Sequence, residues 1–193
     1  MRTFITELRL QNRWSRRLGW VALVLAASAL FHIFTMTVSG GNLSGAISFR
    51  KPITFALSFG LLLSATGWVM DRLKPRRFAT GAISVVLAVS ALTEVGLVAL
   101  QAWRGVPSHF NVATPFDAGV FNVMGVTILA SSLALVALAV WAVIDRPGEK
   151  ALSLGILAGL TMVLAGLGLG VWVIGLGVAL VEATGFVPDT VTV

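Results

Sequence analysis

Five apolar runs, at residues 18–38, 53–70, 78–103, 119–144 and 152–181, decide what this chain can fold into. Each is long enough, as a helix, to cross about 30 Å of hydrocarbon. In a bilayer every backbone N–H and C=O must be bonded within the protein, and a helix does this within a single segment. The breaks between runs carry helix-stop chemistry. Gly40-Gly41 follows the first run, Lys74-Pro75 the second, and Gly105 with Pro107 the third. Asp145-Arg146-Pro147-Gly148 closes the fourth, and Gly185 with Pro188 the fifth. Charged residues make up only 11% of the chain and hydrophobic ones 57%, too little charge to cover a water-facing surface. The expected fold is all-α, an integral membrane bundle of five transmembrane helices.

Lys and Arg in the short loops set the orientation. Arg2, Arg9, Arg13, Arg16 and Arg17 precede the first run. Arg72, Lys74, Arg76 and Arg77 follow the second, and Arg146 with Lys150 follow the fourth. These eleven fall on one side, against Arg50, Lys51 and Arg104 on the other. The N-terminus is therefore expected in the cytoplasm and the C-terminus outside. Trp20, Trp68 and Trp141 fall at the expected inner interface and Trp103 at the outer one, where an indole favours the headgroup region.

Residues 1–17 read as a basic amphipathic segment on the anionic cytoplasmic surface, with Phe4, Ile5, Leu8 and Trp14 available to lipid. Residues 18–185 form the five-span domain and 186–193 an external tail. Arg16-Arg17 before an apolar run has the look of a secretion signal, yet the run continues past Ala29 and four more follow, so an uncleaved helix is expected. The net charge of +6 is accounted for by topology and gives no support for nucleic-acid binding. The absence of Cys excludes disulfides, thiolate metal sites and thiol nucleophiles, and the absence of Tyr excludes tyrosyl chemistry.

Polar residues inside spans are costly, so each needs a reason. Ser28, His32, Thr35 and Ser39 share one face of the first span, and Ser90, Glu94 and Gln101 one face of the third. Thr54 and Ser58 lie near the start of the second span, and Asn122 lies in the fourth. Glu94 is the only charge deep in any span, about 14 Å below the outer interface at the helical rise. These groups gather in the outer half of the bundle, near the loop 104–117 that carries His109. A polar pocket there would be lined by Glu94, His109, Arg104, Gln101, His32, Asn111 and Lys51. Each also has a structural reading: Ser and Thr bond their own helix backbone, and a protonated Glu94 bonds Gln101 or His32 and holds helices together. Thr114-Pro115-Phe116-Asp117 has the pattern of a capped helix start, which accounts for Thr114 and Asp117 without chemistry. In the fifth span Gly155, Gly159, Gly166, Gly170 and Gly177 form a smooth stripe, suited to packing within the chain or to a homodimer.

Two segments carry a resemblance. Residues 50–58 contain Lys51-Pro52, Phe55 and Ser58, and residues 101–117 contain Arg104-Gly105, Ser108-His109-Phe110-Asn111, Thr114-Pro115 and Asp117. They resemble a group of small uncharacterised bacterial inner-membrane proteins with KPxxFxxS and RGxxSHFNxxTPxD patterns. The resemblance implies a multi-pass protein of the bacterial inner membrane and no mechanism.

Three functional readings follow. The leading one is a binding or accessory protein whose outer pocket takes a lipid, a quinone or another small ligand. Arg50, Lys51 and Arg104 suit an anionic headgroup, and Phe110 with Phe116 suit its apolar part. The second is a membrane redox protein or enzyme with a divalent metal or haem on His32, His109 and Glu94. No paired-ligand spacing supports that set. The third is a small proton-linked carrier with Glu94 as the exchanging group. No GxSxG motif points to a serine hydrolase.

Overall fold

The computed structural model describes residues 12–39, 48–146, 148 and 150–184. They form five helices: α1 (Arg13–Val38), α2 (Arg50–Met70), α3 (Arg77–Trp103), α4 (Pro115–Asp145) and α5 (Lys150–Thr184). No strand occurs among the described residues. All five are long and apolar enough to cross a membrane, α5 over Lys150–Val173. The Gly40-Gly41 and Gly185/Pro188 stops, Pro147, residues 1–11 of the basic segment and the tail 186–193 lie outside the described residues.

Local chemistry sets the helix ends. α1 starts upstream of the apolar run because Asn12 caps it, its side chain accepting from the Trp14 amide at 2.9 Å. Arg13, Trp14, Arg16 and Arg17 are thus the first turns of α1, continuous with the span. Thr114 caps α4 as expected, with Pro115 in the first turn. α3 ends at Trp103, two residues before Gly105, whose φ of +66° is a backbone state that favours glycine.

α1 packs along α2, α3 lies between α2 and α4 and also touches α1, and α5 leans on α4. The core holds Leu18 and Leu25 of α1, Leu63 of α2, Leu87 of α3, and Leu135 and Leu138 of α4. Small residues let α1 and α2 approach closely. A Cβ on Gly67 would lie 3.2 Å from the Ser15 carbonyl oxygen, and one on Gly60 would lie 3.5 Å from that of Ala22.

The outside of the bundle is as apolar as its core. Trp20, Leu30, Phe34, Leu61, Val126 and Leu133 are exposed, while Glu94, Gln101, Asp117, His32 and several serines are buried. Such a surface is stable where the solvent is hydrocarbon. Trp141 is not presented to lipid but is 4% exposed, packed in the core with its N–H on Asp145 at the end of α4. Along the glycine stripe a Cβ at Gly155, Gly159, Gly166 or Gly170 would meet nothing within 4 Å, Gly155 and Gly159 line a groove shared with Leu62 and Trp68 of α2, and the side of α5 at Gly177 is outside the description.

Candidate functional site

The side chains singled out by sequence fall into separate bonded groups. The first ties α3 to α4. Asp117 Oδ1 accepts from Gln101 Nε2 at 2.9 Å and from Arg104 Nη1 at 2.5 Å, and Arg104 Nη1 also donates to Gln101 Oε1. Thr114 Oγ1 donates to Asp117 Oδ2 at 2.6 Å and accepts from the Asp117 amide at 3.1 Å. The Arg104 guanidinium lies over the Phe116 ring, 4.7 Å from its centroid. Gln101 and Asp117 are buried, and both oxygens of the carboxylate are engaged. The knot closes the α3–α4 loop.

His32 belongs to a second group. Its Nδ1 lies 2.8 Å from the Ser28 carbonyl oxygen, which only accepts, and its Nε2 lies 3.2 Å from Trp103 Nε1, which only donates. The ring is therefore neutral with its proton on Nδ1, and both nitrogens are used. Phe49 packs edge-on to Trp103 at 5.0 Å and tilted to His32 at 5.8 Å. His32 does not bond Glu94. Its surroundings are those of a histidine that joins α1 to α3.

His109 lies in a third group, on the α3–α4 loop. Its ring packs against Phe55 of α2 at 5.5 Å and Phe121 of α4 at 6.4 Å. Phe110, with a left-handed φ of 57° that is uncommon for a bulky residue, also meets Phe121, at 5.4 Å. Burial, and secondly the nearby Lys51 ammonium, push the His109 pKa down to about 4. Ser108 Oγ lies 2.9 Å from His109 Nδ1, so these chain neighbours do form a pair. Asn111 knits the same loop, donating to the Pro107 carbonyl at 3.1 Å and accepting from the Ala113 amide at 3.2 Å.

Glu94 stands apart from all of these. It is fully buried on α3, and its Oε1 lies 2.6 Å from Thr127 Oγ1 on α4. Its Oε2 is buried with no hydrogen-bond partner. The expected bond to Gln101 or His32 is replaced by one to a threonine that sequence reasoning passed over. Thr127 Oγ1 also lies 3.1 Å from the Val123 carbonyl oxygen and 3.0 Å from that of Met124. A hydroxyl has one hydrogen. When Glu94 is charged, that hydrogen serves Oε1. When Glu94 carries a proton, the hydroxyl turns to its own backbone and accepts from the acid. One pair of residues thus accommodates both states of the carboxyl.

No family model, no curated protein and no solved structure matches the chain.

Further buried polar atoms lie along the helices that hold Glu94. Ser90 and Ser84 are buried on α3 and Ser131 on α4, and Ser84 Oγ and Ser131 Oγ have no hydrogen-bond partner. Ser90 is one turn from Glu94, and Ser131 is one turn from Thr127 in the antiparallel neighbour. Thr54, Ser58 and Asn122 are exposed and contribute nothing to this interior. Thr35, Ser39 and Thr54 bond their own helix carbonyls, as expected of hydroxyls in spans. Among the described residues no three His, Cys, Asp or Glu side chains gather into a group able to hold a metal ion.

Proposed function

We propose that this chain is a multi-pass protein of the bacterial inner membrane, N-terminus in the cytoplasm, that carries protons by way of Glu94. The observation that supports this most is the Glu94 carboxyl itself: fully buried, one oxygen on Thr127 and the other without a partner. A lone carboxylate in such surroundings costs several kcal/mol in order-of-magnitude terms, so the neutral acid is the form the closed bundle accommodates. A membrane-buried acid that is stable neutral and can be bonded when charged has the chemistry of a proton carrier. Ser131, whose buried hydroxyl has no partner, lies one turn from Thr127 and offers a further polar group near the carboxyl. The orientation rests on the excess of Lys and Arg at one end.

The other readings have less behind them. Both nitrogens of His32 are occupied, so a metal or haem ligand there requires displacing the Trp103 indole from Nε2, and no second ligand is grouped with it among the described residues. Gln101, Arg104 and Asp117 satisfy one another, so three of the residues expected to line an outer pocket are used in closing the α3–α4 loop.

The test is proton flux into liposomes containing the purified protein, under an imposed pH gradient and read by an entrapped dye. Wild type is expected to collapse the gradient faster than empty liposomes, and Glu94→Gln to lose most of that excess. Equal rates for wild type and empty liposomes, or for wild type and Glu94→Gln, reject the proposal.

A further inference from the structure

At the end of the bundle opposite the α3–α4 loop is a cavity of about 480 Å³. Asn12, Arg13 and Trp14 at the start of α1 form one wall, and Arg76, Arg77 and Thr80 at the start of α3 form the other. Its shape depends on Gly81, because a Cβ there would lie 3.2 Å from the Trp14 ring. The Nε1 side of the indole is thereby seated against α3, with the Arg17 guanidinium 4.5 Å and that of Arg13 5.4 Å from the ring centroid.

The charge around this cavity is unbalanced. Arg76 spends one nitrogen on Asp145, at 3.2 Å, and its side chain remains 47% exposed. Asp145 is already held by Trp141 Nε1 at 2.6 Å and the Lys74 amide at 2.9 Å. Arg13 and Arg77 form no ion pair with an acidic side chain among the described residues. Counting Arg17 on the Trp14 ring, four guanidiniums stand against two carboxylates, Asp145 on Arg76 and Asp71, which accepts from the Asn12 amide at 3.1 Å and the Ser15 hydroxyl at 2.8 Å, so the recess keeps a cationic excess. Planar guanidinium donors match the oxygens of a phosphate better than any neutral group does. The recess also lies where the apolar spans begin, beside Phe78 at 90% exposure. A ligand with a charged phosphate and apolar chains meets both requirements at once.

We propose that this recess binds the phosphate of an anionic phospholipid, held by Arg13, Arg76 and Arg77 against the Trp14 indole. The site stands independently of proton carriage, since none of its residues contacts Glu94. Free phosphate shares the chemistry, and the competition arm below separates the two sources.

The experiment is native mass spectrometry of the intact protein released from detergent with phosphatidylglycerol or phosphatidylcholine added. Phosphatidylglycerol is expected to be retained at least tenfold more than phosphatidylcholine. Arg13→Gln/Arg77→Gln is expected to abolish that preference. Lys150→Gln, which removes a cation at the start of α5 outside the recess, should leave it intact and so controls for net charge. Gly81→Leu, which displaces Trp14 and keeps every charge, should weaken retention without altering helix content. Inorganic phosphate at millimolar concentration is expected not to displace the lipid. Equal retention of the two lipids, an unchanged preference in the double variant, or displacement by inorganic phosphate overturns the assignment to a phospholipid.

Discussion

Thr127 Oγ1 sits 2.6 Å from Glu94 Oε1 and within 3.1 Å of two carbonyl oxygens of its own helix, so one hydroxyl hydrogen has three acceptors around it. The pair can exchange roles as the carboxyl gains or loses a proton, with little movement of backbone. Infrared difference spectra across a pH titration should therefore show the carbonyl stretch of a protonated carboxylic acid in wild type, and Glu94→Gln should lack it. Thr127→Val removes the partner and leaves a second buried oxygen unpaired. It should shift the pH at which the band appears and lower thermal stability by about 1 kcal/mol, the scale of a hydrogen bond between membrane helices. An identical band in wild type and Glu94→Gln would falsify the assignment of the proton.

The knot around Asp117 leads to a different expectation. Gln101, Arg104 and Thr114 all depend on one carboxylate, so Asp117→Ala strands a buried amide and a half-buried guanidinium together. The loss should be about 2–3 kcal/mol in unfolding experiments in detergent, because a deserted charged partner costs more than a neutral one. Asp117→Asn keeps an acceptor for Gln101 and should cost roughly half as much. Neither change should abolish the Glu94 infrared band, since the groups share no bond.

His109 offers a pH test outside the spans. In the folded chain its pKa is pushed down to about 4, by burial first and Lys51 second. In the unfolded chain the ring takes up its proton near the ordinary value of about 6.5. Between those values the unfolded chain binds more protons, so stability falls as pH drops through the interval and is fully present above it. Carboxylates elsewhere also titrate in acid, so the informative quantity is the difference between wild type and His109→Gln. Melting curves from pH 7 to pH 4 should show a shallower decline for the variant. Parallel declines would mean that the buried ring contributes nothing to acid sensitivity.

The helices were readable because apolar runs, caps and stops are local. Thr114 and Asp117 could be assigned to a helix start from four consecutive residues, and the structure places them there. Asn12 was passed over because it precedes the apolar run, although a side-chain cap needs only itself and the next two residues. The partner of Glu94 was not readable. Gln101 shares its helix face but lies seven residues on, roughly 10 Å along the axis, beyond the reach of a direct bond. Thr127 comes to the same level only through the register of α3 against α4, which no local pattern encodes. Trp141 was readable only in part: its place near a helix end is local, and its N–H points to Asp145 at that end, but the burial of its ring among other helices is set by packing that no local pattern encodes. The cavity between Arg13 and Arg77 joins residues from two helices that topology counting treats only as charges.

Two glycines that look alike in sequence should behave oppositely. Gly67 of α2 and Gly159 of α5 both lie in apolar spans, yet a Cβ on Gly67 would press on the Ser15 carbonyl at 3.2 Å, whereas one on Gly159 would meet nothing within 4 Å. Gly67→Val must push α1 away from α2, and overpacking of this kind costs about 1–3 kcal/mol. That displacement also loosens Ser15 from Asp71, whose Oδ1 accepts from the Ser15 hydroxyl at 2.8 Å. Gly159→Val has no such neighbour within the chain and should leave monomer unfolding within about 0.5 kcal/mol of wild type. Equilibrium unfolding of both variants in the same detergent decides the matter. If Gly159→Val is also destabilising, and the loss grows with protein concentration, the glycine face of α5 is covered by a second chain rather than by lipid.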